Sequence, residues 1–317
     1  MLLTPKANRK KQRHLKHMRM RRSWQMYLFL LLPLIYLLVF KYEPMLGAQI
    51  AFRQYAPRMG IWGSKWVGFA QFTKFFQSYQ FERVLTNTLS LSLYSLLAGF
   101  PLPILAALCI NALRSNRYRS IIQNVTYMPH FISTVVMVGM LMQVFNSRIG
   151  IYGVGYRLLT GLQDVPDLLA KPGVFPHLYV WSGIWQSTGW GTIIYVAALS
   201  AVDPELHEAA VIDGASRFAR LRHVDFPAIL PTVTIMLILR CGQIMGIGFD
   251  KVYLMQNKLN LSASEVIATY VYKVGLAQGT NDFSYATAIG LFNSVVNMIM
   301  LVLVNGISRR ASESSLW

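Results

Sequence analysis

A single charged side chain, Arg240, stands inside the long apolar stretches of this sequence. A charge at the centre of a bilayer costs roughly 2.5–3.5 kcal/mol on insertion scales, so such a residue normally faces water or a polar partner. Arg240 lies nine residues before Phe249, the predicted end of its stretch, which corresponds to a depth of about 14 Å in a helix. Snorkelling of the side chain would cover only part of that depth. The guanidinium is therefore expected either to bind hydroxyl or carboxylate groups of a ligand, or to hydrogen-bond neighbouring carbonyls.

Aromatic and amide side chains recur in the last three apolar stretches. Their combination is typical of sugar sites, where rings stack on the ligand and amides bind its hydroxyl groups. Together with Arg240, the residues predicted to line a pathway for a solute are Gln186, Trp190, Tyr195, Gln243, Asn293 and Asn297. Asn293 and Asn297 are four residues apart and so share one helix face. Each of these side chains could instead pack between helices or, for the aromatic ones, lie at the membrane interface.

Motifs for nucleotide hydrolysis and other catalysis are missing from the sequence. There is no Gly-x-x-x-x-Gly-Lys-[Ser/Thr] phosphate loop, so the chain is not expected to be an ATPase. No Asp or Glu lies within the apolar stretches, which argues against a proton-coupled transporter, whereas sodium coupling through backbone carbonyls stays open. No metal-ligand spacing or nucleophile–base pair is visible. We therefore predict a non-catalytic chain that holds no metal or cofactor of its own.

The segment 203–227 contains the signals of a helix-turn-helix. Asp203 is a good N-cap, and the proline after it suits the first helical position. Gly214 can adopt a left-handed conformation and end this first helix. Ser216 can cap a second short helix, which Pro227 is expected to close because proline removes a helical hydrogen bond.

The same segment carries groups that favour contact with another protein. Ala209 and Ala210 present a small surface that allows close approach, and Leu206, Phe218 and Leu221 offer apolar anchors. Glu205 and Glu208 place negative charge near the helix N-terminus, which the helix dipole favours. A docking role is the sharper hypothesis, and a plain connector between two helices is the alternative.

The elements that position these residues are predicted to be membrane-spanning helices. The chain of 317 residues is 54% hydrophobic and only 14% charged, against about 25% charged in an average soluble domain. A bilayer core about 30 Å thick requires roughly 20 apolar residues of helix. The stretches that qualify are 24–40, 85–113, 120–147, 175–202, 226–249 and 283–308. The net charge of +17 indicates topology rather than nucleic-acid binding, because basic residues flank these stretches.

Lysine and arginine are unevenly distributed between the segments that join the spans. With the N-terminus inside, the inner segments are 1–22, 114–119, 203–225 and 309–317. They hold 17 Lys and Arg in 60 residues, against 12 in 102 residues for the outer loops. Those outer loops are 41–84, 148–172 and 250–282. Because basic residues are retained on the cytoplasmic side, both termini are predicted to be cytoplasmic.

The predicted outer loops carry an aromatic face and several cations. Aromatic residues at three- and four-residue spacing predict a short helix, either on the outer membrane surface or packed on neighbouring spans. These residues are Phe69, Phe72, Phe75, Phe76 and Tyr79. The cations would suit an anionic sugar or an acidic binding protein. They are Arg53, Arg58, Lys65, Lys74, Arg83, Arg148 and Arg157.

The segment 203–227 resembles the EAA loop of ABC importer permeases. The family pattern is Glu-Ala-Ala, three residues, Gly, nine residues, Ile, one residue, Leu-Pro. This sequence has Glu208-Ala209-Ala210, Gly214, Val224 and Phe226-Pro227 at the same spacing, with Val for Ile and Phe for Leu. Other segments are similar to the oligosaccharide and polysaccharide branch and narrow the resemblance to the alginate-importer type. They are 51–55, 66–69, 87–89, 128–133 and 212–216.

The resemblance implies an all-α, polytopic membrane protein with six transmembrane helices and the type I ABC importer (MetI-like) permease fold. Cargo would be a sugar or oligosaccharide, with an anionic one such as alginate oligosaccharide as the narrower case. Two ATPase subunits would bind ATP and Mg, and each would receive an EAA loop. A second permease subunit, a periplasmic solute-binding protein and membrane lipid complete the partners, and no nucleic acid is expected. The implied coupling residues are Glu208, Ala209, Ala210, Asp213, Gly214, Phe218 and Pro227.

The predicted organisation has four parts in a bacterial cytoplasmic membrane. They are a basic cytoplasmic tail (1–22), a first span and periplasmic loop with an interfacial helix (23–84), the permease core (85–308) and a cytoplasmic tail (309–317). Three alternatives stay open: an ABC permease for a non-sugar solute, an ATP-independent transporter or channel, and a membrane enzyme. The enzyme would need a cluster of carboxylates or nucleophiles, which the sequence does not offer.

Overall fold

The structure, a computed structural model, describes residues 23–113, 115–277, 279 and 281–311. The basic tail predicted at 1–22 lies outside these residues, as do positions 312–317 of the predicted C-terminal tail. The chain divides into two compact units, residues 1–69 and residues 70–317.

The smaller unit consists of a long helical segment and a two-stranded ribbon. The segment Trp24–Phe52 is continuously helical, and its apolar side chains up to Leu46 are exposed, as expected for a helix surrounded by lipid. Strand β1 (Arg53–Gln54) pairs antiparallel with β2 (Lys65–Trp66), with Arg53 opposite Trp66. The regular helices of this unit are α1 (Trp24–Leu37), α2 (Glu43–Met45) and α3 (Gly60–Gly63).

The larger unit is a bundle of helices around a central one, α10. Helix α10 contacts α5, α6, α7 and α13. The helices are α4 (Ala70–Phe76), α5 (Tyr79–Gly99), α6 (Pro101–Asn111), α7 (Asn116–Tyr127), α8 (Thr134–Val144), α9 (Ile151–Thr160), α10 (Phe175–Ser200), α11 (Pro204–Ile212), α12 (Arg217–Arg220), α13 (Phe226–Cys241), α14 (Phe249–Met255), α15 (Leu261–Ser264), α16 (Ile267–Tyr272) and α17 (Phe283–Ala311). A 3₁₀ turn (Met128–Phe131) and two π turns (Leu221–Asp225 and Lys273–Ala277) lie between them.

Four helices in the described part of the chain are long and apolar enough to cross a membrane. They are Trp24–Phe52, Tyr79–Asn111, Arg217–Cys241 and Phe283–Arg309. A fifth is obtained if the bent pair Asn116–Phe131 and Thr134–Val144 counts as one span. The predicted span 175–202 is a 26-residue helix, α10, but it does not meet this test. Its position at the centre of the bundle accounts for its polar side chains, because much of its surface meets protein instead of lipid.

The predicted span 120–147 is not straight, because the helix bends by 94° at residues 132–133. Pro129 lies in the 3₁₀ turn before the bend, and the Ser133 hydroxyl accepts a hydrogen bond from Val136 N at 3.3 Å to start α8. At the bend, the amide Nε2 of Gln186 donates to Ile132 O at 2.7 Å. A buried break needs such a partner, since an unpaired carbonyl would lose its hydrogen bond to water.

The predicted span 226–249 also ends early. Helix α13 stops at Cys241, and the backbone is irregular up to Phe249. In this irregular stretch, Met245 N donates to the Asn297 side-chain oxygen at 2.9 Å. Arg240 therefore stands in the last turn of its helix, where its charge suits the helix dipole.

Helix α4 carries Phe72, Phe75 and Phe76 of the predicted aromatic face, and it packs against α17. Phe75 is fully buried, and its ring lies 5.0 Å from Phe81, 6.3 Å from Tyr285 and 5.6 Å from Phe292. Of the two interpretations of this helix, packing on neighbouring spans is confirmed for Phe75. Tyr79, at the end of the pattern, is largely exposed.

Two helix backbones approach closely where α7 meets α10. A Cβ atom added at Gly189 would stand 1.9 Å from the carbonyl oxygen of Thr126. Only glycine fits there without a backbone shift. Gly139, in α8, has nothing within 4 Å of its ideal Cβ position.

We predict that Gly189→Ala destabilises the protein by roughly 1–3 kcal/mol, because the added methyl group overpacks the contact. The measurement is the temperature at which half of the detergent-purified protein loses its monodisperse elution. The matched control, Gly139→Ala, should keep or slightly raise that temperature, since alanine is the better helix former. Equal midpoints for the two variants would contradict the close approach of α7 and α10.

Candidate functional site

The segment 203–227 forms the predicted helix-turn-helix. The Asp203 carboxylate accepts a hydrogen bond from Glu205 N at 3.0 Å and so caps α11. At the other end Gly214 has φ +75°, and Ala215 N donates to Ala210 O at 2.9 Å, which closes the helix in the manner of a glycine cap. The capping residues read from the sequence are confirmed.

The second helix does not end at Pro227, so that prediction is wrong. Ser216 caps the helix as expected, accepting from Ala219 N at 3.2 Å, but the helix then runs without a break from Arg217 to Cys241. A proline ring normally crowds the carbonyl four residues earlier, here that of His223. That carbonyl lies in the π turn Leu221–Asp225, whose wider hydrogen-bond spacing accommodates the proline. The loop and the following apolar helix are therefore one continuous element.

Helix α11 and the start of α12 present a surface with exposed apolar groups. No residue of α11 is buried, Ile212 is 85% exposed and Phe218 is 72% exposed. Glu208, Ala209 and Asp213 are also exposed, and Ala210 is half-buried. Large apolar side chains that stay exposed beside charged ones are typical of a protein-binding surface.

A polar contact that the sequence did not indicate holds α11 against the bundle. The His207 ring nitrogen Nε2 lies 3.3 Å from a carboxylate oxygen of Asp225, which is 4% exposed. The same oxygen accepts from the Asn111 amide at 3.2 Å. Three segments thus meet at Asp225: the first helix of the loop, the end of α6 and the start of α13. The residues are too far apart in the sequence for spacing alone to pair them.

A cavity of about 360 Å³ lies between α5, α6, α10 and the end of α13. Three of the predicted pathway residues, Gln186, Arg240 and Gln243, line it. Ser92, Ser95, Ser187 and Tyr179 add hydroxyl groups. Such a mixture of apolar walls and a few polar groups is typical of ligand cavities, and the volume falls in their usual range.

The other four predicted pathway residues are outside this lining. Tyr195 is 3% exposed and packs in an apolar cluster, and Trp190 stacks on His130 with 4.4 Å between ring centroids. Asn297 binds the backbone of Met245, as described above. Asn293 does not border the cavity. Tyr195 and Trp190 therefore pack against other side chains, and Asn297 supports the backbone. These contacts fit the alternative interpretation, in which such residues pack between helices.

Two cations face the cavity. The Arg240 side chain is exposed and has no hydrogen bond or ion pair among residues 23–113, 115–277, 279 and 281–309. Lys251, in α14, donates from Nζ to Tyr179 O at 2.7 Å, and Nζ lies 4.6 Å from the centroid of the Tyr179 ring. Burial lowers the pKa of Lys251 to about 8. Sequence reasoning missed Lys251 because it placed this residue in an outer loop.

Several of the outer-loop cations expected to suit an anionic ligand are instead bound within the protein. Lys74 pairs with Asp282 at 2.7 Å. Arg83 pairs with Glu265, which is 4% exposed and also binds Lys273 at 2.9 Å. Arg53 and Arg157 are also used internally, because both donate to backbone carbonyls. These four cations are therefore less available to a ligand than the sequence suggested.

Comparison with known proteins agrees with the resemblance seen in the loop. Residues 99–313 match the family described as "Binding-protein-dependent transport system inner membrane component". Protein LplB of Bacillus subtilis (strain 168) is 42% identical over 298 residues, covering 94% of this chain and 92% of that protein. The polygalacturonan/rhamnogalacturonan transport system permease protein YteP of the same organism is 39% identical over 292 residues, covering 92% and 90%.

A solved structure shares the fold along nearly the whole chain. One chain in the crystal structure of a bacterial alginate ABC transporter, in complex with an alginate pentasaccharide-bound periplasmic protein, has a TM-score of 0.84 and 37% identity. The match covers 94% of this chain and 98% of that chain. This protein therefore belongs to the family of binding-protein-dependent transport system inner membrane components.

Proposed function

We propose that the chain is the permease subunit of an ATP-driven importer that moves a sugar or oligosaccharide across the membrane. The observation that carries this proposal is the capped helix α11, in which Glu208 and Ala209 are exposed and which, with Gly214 after it, keeps the family spacing. The names of YteP and of the alginate transporter support an acidic oligosaccharide as cargo.

The proposed assembly supplies what this chain lacks. Two ATPase subunits hold ATP and Mg and hydrolyse the nucleotide, a second permease subunit completes the pathway, and a periplasmic solute-binding protein delivers the cargo. The chain itself does not catalyse a reaction. We propose six membrane crossings, including α10 and the bent pair at 116–144, with both termini on the cytoplasmic side of a bacterial cytoplasmic membrane. The distribution of Lys and Arg supports that orientation.

In the proposed mechanism, the loop transmits the motion of the ATPase subunits to the cavity. Closure of the ATPase pair on ATP carries α11 with it. The contact of His207 with Asp225 links α11 to the helix Arg217–Cys241. That helix ends beside the cavity at Arg240, so a tilt at its loop end changes the shape of the cavity. Hydrolysis then resets the two-state equilibrium.

We predict that Glu208→Lys abolishes most cargo-stimulated ATPase activity and transport in the reconstituted complex, because Glu208 is proposed to pair with a basic residue of the ATPase. The control is Asp164→Lys, which reverses an exposed carboxylate in the predicted outer loop 148–172 and should leave both activities within about twofold of wild type. Normal stimulation in Glu208→Lys would contradict the docking role.

We predict that His207→Ala lowers the amount of cargo transported per ATP hydrolysed, because α11 loses its link to Asp225. Coupling energies of this kind are roughly 0.5–2 kcal/mol, or about two- to thirtyfold. The control is His223→Ala, which removes an exposed imidazole whose hydrogen bond within the described part of the chain is to Ala219 O of its own helix. The measurement is uptake and phosphate release in the same proteoliposomes. An unchanged ratio in His207→Ala would show that this contact does not transmit motion.

A further inference from the structure

We propose that Lys251 and Arg240 together bind carboxylate groups of an acidic sugar in the cavity, and that they set the preference for anionic over neutral cargo. The proposal rests on the proposed function and adds to it the residues that distinguish anionic from neutral cargo. Lys251 is the new member of this pair.

The charge of the cavity lining is the first argument. Arg240 and Lys251 are the charged residues of that lining in the described part of the chain, and no carboxylate lies among the lining residues. Two positive charges that line one partly enclosed space attract an anion into it. The cavity is therefore complementary to a negatively charged group.

A contrast with three cations that pair with carboxylates strengthens this argument. Lys74, Arg83 and Lys273 each form an ion pair with a carboxylate of the protein. Lys251 and Arg240 have no such partner among the residues that the structure describes. Lys251 is half-buried, and burying a cation without a counter-charge is unfavourable, so its position beside the cavity calls for a negatively charged partner.

The Lys251 amine is held in place, and it has hydrogen-bond donors that its contact with Tyr179 O does not use. Its Nζ is held by Tyr179 O and by the Tyr179 ring, and it lies against α10 where Gly183 leaves space. A Cβ added at Gly183 would be 3.0 Å from Nζ. An ammonium group has three donors, and the contact with Tyr179 O uses one of them. The remaining donors are available to a carboxylate.

The two cations offer different hydrogen-bonding geometries beside neutral polar groups. The Arg240 guanidinium can bind a carboxylate through two parallel hydrogen bonds, whereas Lys251 acts as a point charge. Hydroxyl groups of Ser92, Ser95 and Ser187 lie in the same lining and suit the hydroxyl groups of a sugar ring. A uronic acid residue carries both kinds of group.

The test uses the complete transporter in proteoliposomes with its binding protein and ATP. The probes are a uronic acid trisaccharide and its carboxyl-reduced, neutral counterpart, each at a saturating concentration of binding protein. We expect Lys251→Gln and Arg240→Gln to lower the ratio of acidic to neutral uptake at least tenfold, since hydrogen bonds to charged groups are the stronger ones. Lys251→Arg, which keeps the charge, should stay within about threefold of wild type.

The matched control is Lys258→Gln, which removes an exposed cation outside the cavity lining and should leave the ratio unchanged. Should Lys251→Gln fail to assemble, Arg240→Gln alone tests the role of the pair, with the same expected fall in the ratio. Ratios equal to wild type in the assembled variants overturn the role of the two cations. If the wild-type transporter takes up neither trisaccharide, the proposed cargo class is itself wrong.

Discussion

Wherever a helix breaks inside the bundle, its backbone groups need hydrogen-bond partners, because lipid offers none. The two main breaks meet this requirement with amide side chains from other helices. Gln186 binds the free carbonyl of Ile132, and Asn297 accepts from the amide of Met245. Each break is thereby fixed at one place in the chain. The cavity depends on the second break, because the irregular stretch after Cys241 contributes a part of its wall.

These contacts show that a polar residue within an apolar stretch can serve the backbone of another helix instead of a ligand. Several of them had been predicted to line a pathway, and the prediction was reasonable because an amide at membrane depth needs a partner. In Asn297 that partner is the protein backbone, whereas Gln186 supports the backbone and also borders the cavity. Charged groups are divided in the same way. Cations such as Arg83 pair with carboxylates, and those around the cavity do not.

One helix connects the loop surface with the cavity. The segment Arg217–Cys241 has 25 residues, which corresponds to about 37 Å at 1.5 Å per residue. A π turn near its start accommodates Pro227, so the proline does not separate the loop from the helix. The Asp225 contact with His207 ties the first helix of the loop to the same element. The surface proposed for docking and the cavity therefore lie at the two ends of one helical element.

The sequence alone determined the features that depend on neighbouring residues. The caps at Asp203 and Ser216, the left-handed Gly214, the family spacing and most of the long apolar helices were predictable, because each depends on a few consecutive residues or on hydrophobic length. Only the tertiary structure decided where the helices break and which cations remain unpaired. Lys251 lies at the cavity beside Tyr179, and Arg83 pairs with Glu265; these partners are 72 and 182 residues away along the chain. Such pairings follow from how the helices pack together, and a single sequence without its fold does not specify them.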